Sequence, residues 1–429
     1  MNRNWAAIFN PKQPAALVFW QQIAVFLLAC AVVISRRPDA VFHAQFYAED
    51  GHVWFADAYN LGWWHALFRA QDGYFQTFPR LGAALALLVP MARAPLVMNI
   101  LAIAAQALPV SLLLSARSQA WGSLRFRAVL AAAYLALPDS SEIGFGITES
   151  QWLLASSAFL VLAAAAASTR PARIFDVILL LLCGLTGPFC VVLLPIAMYL
   201  AWRRGGRSRW TYASLLAACA LVQAYALLVV DRLGRPYFAL GANWERLTRI
   251  VSGNIVLGAA LGRTGLAAMP GSAVFVFLLC AAIAGSVIAA FCFFKADIEM
   301  KLLFILTGML FLASLLVPNA HPPAGSNIYV WDLLIDGCGA RYWFFPSLVF
   351  MWSLLWCARS GGTALRIGAA AFLFVMCFTI PLSWRQPAYK ELQFAAFARN
   401  FASMPPGTAM VIPENPDGWE IRLVKRSSH

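Results

Sequence analysis

The chain has 429 residues, of which 61% are hydrophobic and 12% charged, with a mean hydropathy of +0.71. Soluble domains carry about a quarter charged residues, and one globular core cannot hide this much apolar surface, so lipid must cover part of it. A soluble enzyme, a disordered regulator and a disulfide scaffold are excluded, and the net charge of +13 lies in short clusters at the ends of apolar runs, where it orients a membrane protein instead of binding nucleic acid.

The expected fold is an all-α polytopic membrane protein with about eleven transmembrane helices, within a range of about 11–13. In chain order they are placed at about 15–35, 95–116, 126–138, 151–168, 174–186, 188–202, 210–230, 272–294, 301–318, 342–358 and 365–384. The first run continues apolar through Val32, Val33 and Ile34 without a small-residue cleavage site, so it is expected as an uncleaved signal anchor. Run 174–202 begins after Arg170 and Arg173 and ends at Arg203, Arg204, Arg207 and Arg209. Both its ends then lie on one side, which makes it a tight hairpin turning at Gly187-Pro188. The same rule demotes 79–92 and 250–266 to interfacial or re-entrant pieces.

With the N-terminus cytoplasmic, the inner segments are the denser in Lys and Arg, and about 16 of the 19 acids fall outside. The pattern suits a bacterial inner membrane. The expected organisation is a transmembrane domain over 1–384, with outer loops 36–94, 139–150, 231–271 and 319–341, and a small periplasmic cap over 385–429. In that cap Pro387–Ala402 reads as an amphipathic helix, and Thr408–Ile412 and Trp419–Val424 as two strands around a turn. Eight of the nine cysteines lie inside apolar runs and only Cys338 in a polar loop, so no loop disulfide is expected.

The spans are nearly free of ionisable residues, Asp176 being the main exception, so the polar chemistry is expected at the outer face. The first outer loop reads Phe46-Tyr47-Ala48-Glu49-Asp50-Gly51-His52-Val53-Trp54-Phe55. From Asp50 onward, Trp54, Ala58, Leu61, Trp64 and Phe68 recur at helical spacing, which predicts an amphipathic juxtamembrane helix with its aromatics at headgroup level. Asp50 is either the cap of that helix or a functional carboxylate, and Asp57 would share its face two turns on. Arg80 reads as a snorkelling anchor or a phosphate contact. The second outer loop brings Glu142, Glu149 and Gln151 next to Trp152, a composition that carbohydrate sites share. The last contains His321, Asp336 and Arg341; Arg341 pairs with Asp336 or meets a phosphate.

At these residues the chain resembles the GT-C superfamily of integral membrane glycosyltransferases. Glu49-Asp50 and the helix after it match the acidic first outer loop of that group, and Glu149-Ser150-Gln151-Trp152 and Arg341-Tyr342 resemble its bacterial members. The chain departs in having only a small C-terminal extension, which leaves acceptor recognition to the loops. The resemblance implies an inverting transfer from a polyprenyl-phosphate-linked sugar donor to a glycan or lipid acceptor of the cell envelope. It implies Asp50 as base with Glu49 as its partner or the alternative base. Arg341 and Arg80 would bind the donor phosphate, with His52 and His321 as further candidates, and Glu149, Gln151 and Trp152 would touch the acceptor. No cofactor is required; a divalent metal, Mg or Mn, could be held by Glu49, Asp50 and Asp57. That reading agrees with the chemistry, since a sugar hydroxyl needs a base and a departing lipid phosphate needs a cation. A flippase or exporter of a lipid-linked glycan is the alternative, and a non-catalytic scaffold a third; the exporter would require a polar groove within the spans.

Overall fold

The computed structural model describes residues 17–138, 142–144, 146–230, 238–267, 274–323 and 325–427, without the side chains of 263–267 and 274. Eleven apolar helices occupy the expected positions: α1 (Phe19–Arg36), α2 (Ala94–Leu114), α3 (Leu124–Leu135), α4 (Ser150–Ala163), α5 (Arg170–Gly184), α6 (Phe189–Arg204), α7 (Arg207–Tyr225), α8 (Val274–Lys295), α9 (Ile298–Leu316), α10 (Phe344–Ser360) and α11 (Thr363–Leu382). Six helical stretches are long and apolar enough to cross a membrane, those containing α1, α2, α7, α8, α9 and α11.

The other five have 12 to 17 residues, against the roughly 20 that a straight crossing needs. The sequence expectation overestimated α4 most: it reached residue 168, but the helix ends at Ala163. Burial explains part of the division. Every residue of α4 is buried, so it is surrounded by protein and its polarity and length are not dictated by lipid. The stretches at α1 and α11 are 17% and 11% buried, which places them at the periphery with their side chains turned outward.

Buried helix ends leave carbonyls without partners, and arginines meet them. Arg36 donates to the carbonyls of Leu135 and Leu137 after α3, Arg127 to those of Leu113 and Ser115 after α2, and Arg204 and Arg209 to those of Ala163, Leu162 and Ala164 after α4. Each guanidinium also opposes the negative end of a helix dipole. Part of the basic excess is therefore structural as well as orienting.

The two segments demoted from spanning behave differently. Thr77–Ala86 is a ten-residue helix, about 15 Å long, with Gly82 lying against Leu101 and Ile147. Residues 244–261 form a longer helical run, α then π then α, until Gly262 breaks it at φ +66°. Its start is tied to the loop before α10 through Arg246 and Asp332, and its end to α11 through Thr379, whose hydroxyl donates to the Ala260 carbonyl. Val256 meanwhile presses on Gly285 in the middle of α8.

The loop after α1 is not one amphipathic helix. Asp50–Phe55 is π-helical, Ala56–Leu61 is α-helical, Gly62 at φ +95° breaks the chain, and Trp63–Leu67 resumes. Trp54 and Phe55, expected at the headgroups, are buried; Trp63, Trp64 and Phe68 are exposed. The break at Gly62 is the reason, since it lies between the buried Trp54, Phe55 and Ala58 and the exposed Trp63, Trp64 and Phe68 and ends the single stripe on which the expectation relied. A small antiparallel pair follows, β1 (Ala70–Gln71) with β2 (Tyr74–Phe75).

The tail folds as expected in kind but starts its helix later. Residues 385–393 run extended along the first loop, where Arg37 donates to the Pro387 carbonyl, and the Tyr389 and Leu392 amides donate to Asp39 and Gln45. The helix spans Phe394–Ser403, and β3 (Ala409–Glu414) pairs antiparallel with β4 (Trp419–Val424). The inward side chains Met410, Ile412, Ile421 and Leu423 join Phe46, Val53 and Phe401 in a second, smaller apolar core beside the helix bundle.

Candidate active site at the loop end of the bundle

Asp50 is fully buried, and both its oxygens are engaged. Oδ2 accepts from the Ile147 amide at 3.1 Å, and Oδ1 from the Thr148 amide at 3.1 Å and the Thr148 hydroxyl at 2.7 Å. The same hydroxyl accepts from the Trp54 indole at 2.8 Å. Asp50 is therefore not a helix cap: its bonds cross to the second loop and fasten that loop to the first. Burial pushes its carboxyl up to about 7 against the pull of those three donors, and the neighbouring Glu49 charge adds to the rise.

Glu49 is different. It is half-buried, and among the described residues its carboxylate makes no hydrogen bond or ion pair. Its charge is felt at Glu149, Tyr47 and His52, which places it beside the groups that surround Arg341.

Arg341 sits in the 3-10 turn Ala340–Trp343 that leads into α10. Its guanidinium pairs with Glu142, whose second oxygen accepts from the Arg341 amide at 2.9 Å, and reaches Glu149 at 3.3 Å. It also lies 5.0 Å over the Tyr342 ring. Burial works against its charge, but Glu149 and Glu142 more than offset this and hold it protonated. The ion pair that the sequence offered with Asp336 is replaced by these two, because the second loop folds over the start of α10.

Glu149 accepts from the Trp152 indole at 3.0 Å. Burial pushes its carboxyl up to about 7, with Arg341 opposing and Glu142 and Glu49 reinforcing the rise. The Tyr47 phenol is raised too, first by burial and then by Glu142. Its ring stacks on Tyr389 at 4.7 Å, and Arg37 lies 4.1 Å over the other ring of that pair. Two carboxylates, Glu142 and Glu149, therefore share one guanidinium, and the charge of Glu49 bears on Glu149 beside it.

The remaining candidates fall outside this cluster. Arg80 is 2% exposed, donates to Asp57 at 3.0 Å and to the Arg69 carbonyl at 3.0 Å, and lies over Trp54. It is a buried fastener between the first loop and the Thr77–Ala86 helix, out of reach of a lipid phosphate. Asp57 is shared by Arg80 and Arg69, so the set of Glu49, Asp50 and Asp57 is not assembled for a metal. Among the described residues no three His, Cys, Asp or Glu side chains could hold a metal ion together.

His52 is committed to the tail, its Nδ1 lying 3.0 Å from Glu414 and its ring edge-on to Trp419. Burial lowers its basicity, but Glu414 raises it further, and the net shift is upward. His321 is exposed and packs on Phe238. Gln151 is buried against Gly187. Trp152 is buried among Phe189, Tyr342 and Phe345 instead of standing in an interfacial belt.

Of the expected site residues, the structure thus brings together Glu49, Glu149, Trp152 and Arg341. It adds Glu142, Tyr47, Tyr342, Tyr389 and Arg37, to which the sequence assigned no role in the site. Glu142 carried a signal as a third acid in a short loop, and Tyr342 as the neighbour of Arg341. No family model matches the chain, and no curated protein matches it.

Proposed function

We propose that the chain is an inverting glycosyltransferase that moves a sugar from a polyprenyl-phosphate donor to a glycan or lipid acceptor of the cell envelope. The cluster around Arg341 would face the periplasm of a bacterial inner membrane, with about eleven helices forming the membrane domain and the tail over the site. The observation that supports this reading is the contrast within the acidic pair: Glu49 is half-buried and without a partner among the described residues, whereas Asp50 is buried and saturated.

Glu49 is accordingly the proposed base, and Asp50 a positioning residue that holds the second loop against it. In the transfer, the acceptor hydroxyl oxygen attacks the anomeric carbon from the face opposite the phosphate. The carbon–oxygen bond to the phosphate breaks, the hydroxyl proton passes to Glu49, and the phosphate keeps the bonding electrons and remains on its lipid. Arg341, with 19% of its side chain accessible, is the cation closest to this chemistry and offsets the growing phosphate charge. It is held by Glu142 and Glu149, so a phosphate gains it most readily when Glu149, titrating at about 7, is protonated. The residues proposed for a metal do not fit one, and no step runs through it.

An exporter would need a polar path through the bundle. The buried polar side chains there serve packing instead: Asn99 donates to the Ala40 carbonyl, Gln223 to the carbonyls of Phe75, Gly184 and Gly187, and Asp176 accepts from Arg117 and Tyr212. The deciding measurement is sugar transfer from a polyprenyl-phosphate donor in membranes containing the wild type or Glu49→Gln. Loss of transfer in the variant supports the base assignment, and equal transfer by both removes it. Loss of glycan export with transfer intact points to the exporter.

A further inference from the structure

At the end of the bundle remote from Arg341, the 116–121 turn, α3, α9 and α10 enclose a cavity of about 30 Å³. Its walls are aromatic: Trp121 meets Trp352 edge to face at 5.3 Å, and Phe126 and Trp356 complete the enclosure. Its rim carries both signs of charge. Asp297 and Glu299 border it, and the Arg359 guanidinium lies 4.6 Å over the Phe126 ring. Glu299 is taken by Arg204. Asp297 is exposed, makes no capping bond at the start of α9, and among the described residues neither it nor Arg359 has an ion-pair partner.

We infer that this cavity takes the primary ammonium of a zwitterionic phospholipid, with Arg359 placed for the phosphate of the same headgroup. Indole and phenyl faces attract a cation that has left water, and Asp297 supplies the matching charge. An anion inside would meet two carboxylates. The size selects among cations, because one water-sized group occupies about 10–15 Å³ on this measure. The space admits an ammonium and the methylene that carries it, and it does not admit a trimethylammonium. The source is a lipid and not a soluble amine, because exposed apolar side chains adjoin the mouth: Ile298 follows Asp297 directly, and Phe294 lies at the end of α8. Acyl chains cover such side chains, and the headgroup then lies at the depth of Asp297 and Arg359.

The test is native mass spectrometry of the full chain in detergent, offered equal amounts of phosphatidylethanolamine, phosphatidylcholine and phosphatidylglycerol with identical acyl chains. The wild type should retain the ethanolamine lipid several-fold over the other two. Asp297→Asn, at an exposed site that leaves the fold intact, should equalise the ethanolamine and choline lipids, and Arg359→Gln should lower retention of both. Equal retention of those two by the wild type, retention of the glycerol lipid above both, or an undiminished preference in Asp297→Asn overturns the assignment. Displacement of the bound lipid by an equal concentration of free ethanolamine overturns the lipid as its source.

Discussion

Both ends of the bundle join arginine to buried carboxylate, but in different proportions. Remote from the tail, Arg117 grips both oxygens of Asp176, with Tyr212 donating a third bond, and Arg204 takes Glu299. Each of these two carboxylates has one arginine as its counter-charge. At the other end, Glu142 and Glu149 share Arg341 and Glu49 stands beside them unpaired. Balanced pairs tie helices together and leave nothing over for a ligand. An excess of negative charge held in a half-buried place raises the free energy of the empty protein, and burial with like-charge neighbours pushes Glu149 up to about 7. That imbalance separates the candidate site from the structural pairs.

The comparison breaks first at Glu49. Glu49→Gln should lower sugar transfer by about 10²–10⁴-fold with melting unchanged, and a variant that melts early and transfers normally would reverse the roles of the two ends. Asp176→Asn should do the opposite, costing about 1–3 kcal/mol of stability in denaturant unfolding by leaving Arg117 underpaired, with transfer per folded molecule retained.

A comparable loss is expected at Gly51, where an added Cβ would lie 2.0 Å from Glu414 Oε2 and 2.5 Å from Ile421 Cδ1. Gly51→Ala should therefore loosen the tail by about 1–3 kcal/mol and speed its release by limited proteolysis, while the remote pairs stay intact. The last effect is in pH, and it is spread over several units. Asp50 titrates at 3.8 in the unfolded chain and about 7 when folded, so between those values the folded protein keeps a proton that the unfolded chain has lost. Stability is then greatest below about pH 4, falls as pH rises to about 7 by at most about 1.4 kcal/mol per unit, and is level above. Glu149, raised in the same direction, adds to the slope. Asp50→Asn and Glu149→Gln should each flatten melting temperature against pH over that window, and an unaltered slope in both would assign it elsewhere.

Much of the fold was legible. Apolar runs between basic clusters located the apolar helices, of which six among the described residues are long enough to cross a membrane, and alternation around Pro413–Gly418 located the hairpin of β3 and β4. The acidic pair was legible as a feature of the first loop, but which of its members is buried was not. Asp50 and Glu49 have the same chemistry and adjoin in sequence, and what separates them is the pair of amides at 147 and 148, 97 and 98 residues further on. Arg80 misled for a related reason. A cation at the start of an apolar segment looks like an interfacial anchor, and only the packing of Trp54 and Asp57 around it makes it a core residue.

Composition and periodicity alone determined that this chain is helical and apolar enough to enter a membrane, and they determined where its polar loops lie. Those properties are sums over neighbouring residues, which a sequence states directly. Which carboxylate is accessible, which guanidinium serves it, and which aromatics face lipid were decided only by tertiary contacts. The pairing of Arg341 with Glu142 spans 199 residues, and the break at Gly62 parts the buried Trp54 and Phe55 from the exposed Trp63 and Trp64. Burial and counter-charge set the chemistry of an ionisable group, and both belong to residues brought together from distant parts of the chain.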